Sequence, residues 1–72
     1  MESYENLANA IIIRAVKDYR KALRALSLSP SNRSAQYEAR DIERFFRSSY
    51  FQTLTDLNPE TLISRLNKEV AV

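Results

Sequence analysis

Apolar residues recur at helical spacing along most of the chain. Between Tyr4 and Leu26 there is neither proline nor glycine. Winding this stretch at about 100° per residue gathers Ile11, Ile12, Ala15, Val16, Tyr19, Ala22, Leu23 and Leu26 into an arc of roughly 140°. The arc predicts one long amphipathic helix over 4–27, with Ser3 as N-cap and Glu5 in the first turn, where a carboxylate favours the helix dipole. Ser27-Leu28-Ser29-Pro30-Ser31-Asn32 interrupts it, because proline cannot continue a helix and the serines and asparagine offer caps to the next one. A second helix is predicted over 31–52, where Ala35, Ala39, Ile42, Phe46 and Tyr50 recur at spacings of four and three. Asn58 then suits an N-cap and Pro59 the first helical position, with Leu57 placed to staple onto Leu62. A third helix over 59–70 points Leu62, Ile63, Leu66 and Val70 inward. The expected fold is all-α, a single domain over 1–72 made of a helical hairpin plus a short third helix.

Composition narrows this further. Glycine is absent, which argues against hairpins with primed turns, Gly-rich phosphate loops and a dinucleotide fold, since each needs positive φ or close backbone approach. Cysteine and histidine are absent too, so neither disulfides nor the usual zinc sites can staple a small core. A chain of 72 residues buries a core worth only about 3–5 kcal/mol. Self-association is the cheapest source of further buried area, and a homo-oligomer is expected. Ile13 and Phe51 fall outside the main apolar arcs, where they meet either solvent or a second copy. The longest apolar run, Ala10–Ile13, is far too short to span a bilayer, and Glu2 and Glu5 replace a basic leader. A cytoplasmic protein with no membrane partner is therefore expected.

The usual general base and the best nucleophile are missing, and the carboxylates are scattered, so no catalysis, metal or cofactor is expected. Asp41 and Glu43 sit beside arginines of their own helix and should pair with them. Net charge is only +2, but the cations are grouped. Arg14, Lys17, Arg20, Lys21 and Arg24 share an arc of about 120° on the outer side of the first helix. Arg33, Arg40, Arg44 and Arg47 lie opposite Ile42 on the second, with Tyr37 and Phe51 close to the same stripe. Each stripe has an ordinary reading as a solvated face of an amphipathic helix. Against it, arginine grips phosphate with a planar fork and stacks on ring faces. Tyr37, Arg40, Arg44, Arg47, Ser48 and Phe51 are accordingly the candidate ligand-binding residues, and the first-helix stripe a secondary basic surface.

The stretches Ala15-Val16-Lys17-Asp18-Tyr19-Arg20-Lys21-Ala22-Leu23, Ile42-Glu43-Arg44-Phe45-Phe46-Arg47-Ser48 and Leu54-Thr55-Asp56-Leu57-Asn58-Pro59 resemble small helical proteins encoded in phages and prophages of Firmicutes. The resemblance covers nearly the whole chain and carries no binding residue onto it. It implies a phage-borne accessory protein, a setting in which regulators, inhibitors and counter-defence proteins occur. Three readings follow. The first is an oligomer that sequesters a phosphorylated, nucleotide-like signalling ligand without turning it over. The others are a DNA-binding accessory protein or repressor, and a direct inhibitor of a host defence protein.

Overall fold

A computed structural model describes residues 4–71, with side chains described for 7–70. The order is α1 (Tyr4–Leu28), α2 (Arg33–Phe46), α3 (Ser49–Leu54) and α4 (Pro59–Ala71). No strand occurs among the described residues. The expected cap Ser3 lies outside them.

Helix α1 ends where Pro30 requires it. The amide of Ser29 still donates to the Ala25 carbonyl at 2.9 Å, and the Asn32 amide closes a turn onto Ser29. Asn32 then caps α2, its side chain accepting from the Ala35 amide at 3.0 Å. The start of α4 follows the sequence signals: Asn58 accepts from the Thr61 amide at 3.1 Å and Pro59 holds the first helical position. Leu57, expected to staple onto Leu62, instead remains exposed.

The second predicted helix is two helices. After Phe46 the chain passes through Arg47 (φ −90°, ψ 1°) and the extended Ser48 (φ −80°, ψ 158°) before α3 begins. The Ser48 hydroxyl donates to the Phe45 carbonyl at 2.6 Å and accepts from the Phe51 amide at 3.2 Å, so one side chain serves the end of α2 and the start of α3. This break exchanges the two neighbours that follow. An unbroken helix would carry Tyr50 inward and Phe51 outward; here Phe51 is 0% exposed and Tyr50 55%. The expectation that Phe51 lies free for a ligand or a second copy is therefore corrected, as is the inward placement of Tyr50. Ile13 is exposed, as its position outside the apolar arc requires.

One core joins the four helices. It contains Ile12, Tyr19 and Ala22 of α1, Ala39 and Phe46 of α2, Phe51 of α3, and Ile63 and Leu66 of α4. The aromatic rings meet edge to face: Tyr19 to Phe46 at 5.7 Å, Phe46 to Phe51 at 5.4 Å, and Phe45 to Phe51 at 5.6 Å between centroids. Such pairs are worth about 0.5–1.5 kcal/mol each beyond their area. The Tyr19 hydroxyl brings the only polar atom of this aromatic stack, and it is satisfied on both sides. It donates to Glu43 Oε2 at 2.6 Å and accepts from the Asn67 amide at 3.0 Å. Thus α1, α2 and α4 are tied at a single oxygen.

Burial, followed by the hydrogen bond to Glu43, pushes the Tyr19 hydroxyl up to about 12. A raised folded-state pKa means that the stabilisation is fully present below the ordinary tyrosine value near 10 and is lost as pH rises toward 12. Thermal melts from pH 9 to 12 should therefore show an alkaline loss of stability that Tyr19→Phe lacks. Phe51→Ala should cost about 3–5 kcal/mol, comparable with the whole stability of so small a core, and so abolish the cooperative melt. Tyr50→Ala should retain it; the opposite pair of results would restore the unbroken helix.

Candidate functional site

The candidate cations divide into those held by carboxylates of other helices and those left to solvent. Arg47 is held. Its Nε and Nη2 donate to Glu60 at 2.6 and 3.0 Å, a two-pronged contact that fastens the end of α2 to the first turn of α4, and Glu43 lies at 3.6 Å. The bond to Glu60 raises Arg47 and lowers the Glu60 carboxyl from its ordinary value. Arg20 is held likewise, at 2.9 and 3.2 Å from Glu69 near the end of α4. That contact raises Arg20 and lowers Glu69. Asp41 pairs with Arg44 of its own helix, as expected, and Glu43 with Arg47 at that helix's C-cap, each at a loose 3.6 Å.

Three of the six residues expected to bind ligand are thus occupied in the fold. Phe51 fills the core, Ser48 spends its hydroxyl on the two helix ends, and Arg47 bridges to α4. The phosphate grip expected from adjacent Arg47 and Ser48 does not form in the single chain.

Tyr37, Arg40 and Arg44 remain together. With Arg33 they occupy positions i, i+4, i+7 and i+11 of α2, which places all four within an arc of roughly 60° over about 16 Å of helix. The opposite side of α2 buries Ala35, Ala39 and Phe46, so this arc is turned from the core. All four residues are exposed, and the Tyr37 ring is 62% exposed with no aromatic neighbour among the described residues. Glu38 and Asp41 fall outside the arc. Arg33 and Arg40 make no ion pair among the described residues.

On α1, Arg14, Lys17, Lys21 and Arg24 are exposed and make no ion pair among the described residues. Their i, i+3, i+7, i+10 spacing continues from Leu7 and Ala10 and on to Leu28. A stripe at that spacing would be a coiled-coil seam if apolar, but four like charges in its middle forbid packing against another copy of itself. Arg24 also borders a shallow depression with Arg20, Ser27, Glu69 and Val70. Helices α1 and α2 pack across the core, so their outer faces point apart and no small ligand bridges them. Arg33 shares this exposed arc of α2, although arginine counting alone ranks Arg47 equally. The partners Glu60 and Glu69 lie 13 and 49 residues from their arginines, a separation at which sequence carries no pairing signal.

No protein-family model, no curated protein and no solved structure matches this chain. The arginine partners nevertheless make a test of their own. Removing Glu60 should leave the helices formed but free Arg47, so Glu60→Gln is expected to increase binding of inorganic phosphate or polyphosphate measured by calorimetry, while wild-type Arg47 contributes little.

Proposed function

We propose that this chain is a non-catalytic accessory protein that binds a single strand of nucleic acid along the outer face of α2. The observation that carries this reading is the acid-free strip Arg33–Tyr37–Arg40–Arg44, with an exposed ring among three guanidinium groups. Each part has a separate task. The guanidiniums take phosphates through paired N–H donors, and Tyr37 offers a plane on which an unstacked base can lie. A base inside a duplex is already stacked on its neighbours, so the exposed ring favours a single strand. The length of the strip matters as well: about 16 Å of open helix suits several successive nucleotides better than one phosphate. The first-helix stripe of Arg14, Lys17, Lys21 and Arg24 has no aromatic on its arc and would add long-range attraction for the same polyanion.

Sequestration of a small phosphorylated ligand uses the same Tyr37, Arg40 and Arg44, but it needs an enclosing wall, and the residues expected to supply one are Arg47, Ser48 and Phe51. Their engagement in the fold moves the balance to the open strand.

Fluorescence anisotropy with a short labelled oligonucleotide tests the reading. Tyr37→Ala should lose about 1–3 kcal/mol of binding. Arg40→Ala and Arg44→Ala should each flatten the slope of log affinity against log salt by about 0.7. Arg47→Ala should bind as wild type. Absence of binding at low salt, or normal binding by Tyr37→Ala and Arg40→Ala alike, overturns the proposal. Tight, salt-insensitive binding of a mononucleotide would restore the sequestration reading.

A further inference from the structure

A shallow apolar groove lies between α1 and α2. Ile11, Ala15, Ile42 and Phe45 form its floor, none of them fully buried. The exposed Tyr50 ring extends the apolar floor from Phe45, 6.2 Å away. Leu7, 61% exposed, lies one turn before Ile11 on the same side of α1. Around this floor the charges are sorted. Because α1 and α2 run antiparallel, Asp18 and Asp41 line one end of the groove, while Arg14 lines the other. Arg14 and Asp18 share a face one turn apart yet form no ion pair, and Asp18 has no cationic partner among the described residues.

We propose that this groove is the contact surface of a two-fold dimer in which Arg14 of each subunit pairs with Asp18 of the other. The choice of a second copy follows from the charge order. A patch that is basic at one end and acidic at the other becomes complementary to itself when a two-fold axis crosses the helices between those ends. A nucleic-acid strand is repelled by Asp18 and Asp41, and a peptide of one sign leaves half of the rim unmatched. The dimer does not use the outer α2 strip, so it stands or falls independently of strand binding.

Sedimentation equilibrium of the full chain tests it, with helicity checked by circular dichroism. Wild type should approach twice the 8.4 kDa chain mass as concentration rises. Arg14→Asp makes the α1 rim wholly acidic and Asp18→Arg makes it wholly basic, so each variant alone should sediment at one chain mass. An equimolar mixture of the two should recover the two-chain mass, because each now complements the other. Where a charge reversal disturbs the helix, Arg14→Gln and Asp18→Asn should still shift the wild-type equilibrium toward monomer. A monomeric wild type, single variants that remain dimeric, or a mixture that stays monomeric overturns the proposal.

Discussion

The Ser48 hydroxyl, bonded to the Phe45 carbonyl behind it and the Phe51 amide ahead, decides how the second half of this chain folds. Without that pair of bonds the helical register begun at Ala35 would run on, and the next aromatic to reach the core would be Tyr50. With it, the chain turns between Phe46 and Ser49 and delivers Phe51 instead. Three large side chains, Tyr19, Phe46 and Phe51, then fill one interior. The chain has neither cysteine nor glycine, and these rings are the largest fully buried side chains among the described residues. The cap therefore acts at long range, by choosing which ring is buried.

This also explains what the sequence reveals of the fold and what it hides. The apolar arc of α1 was legible because twenty-five residues at one period leave little room for a second register. Pro30 and Asn58-Pro59 were legible because proline and asparagine act on the backbone locally. The break at Ser48 was not, since Ser48-Ser49 interrupts no proline-like constraint and the apolar spacing continues across it. A serine three residues before Phe51 is a cap signal, but one that competes with an equally good helical pattern. As one unbroken helix the pattern puts Phe51 on the outer stripe with the Ser48 hydroxyl free, and the break reverses both.

The site was legible in part for a related reason. Tyr37, Arg40 and Arg44 share a face by helical geometry alone, which sequence determines once α2 exists. Whether a given arginine is available depends on acids brought by tertiary packing. Arg47 and Arg20 face α4, and the two glutamates at its opposite ends, Glu60 and Glu69, take them. Arg33 and Arg40 face away and make no ion pair among the described residues, while Arg44 has only the loose contact to Asp41. The exposed ion pairs are weak individually, yet they sort one arginine from the next in a way no count of basic residues can.

The arc of α2 that carries Arg33, Tyr37, Arg40 and Arg44 and the arc that carries Ile42 and Phe45 toward α1 do not overlap. A groove-to-groove dimer consequently leaves both outer strips open and carries two of them in one particle. For a ligand with a single phosphate that duplication adds a second independent site and nothing more. A strand long enough to reach both strips binds the second one intramolecularly, and a matched span of this kind can raise avidity by about 10²–10⁴ without any new contact. The two proposals therefore reinforce each other for a long, flexible polyanion and not for a small one, because weak, open, arginine-rich surfaces gain avidity when they are presented twice to the same chain of phosphates.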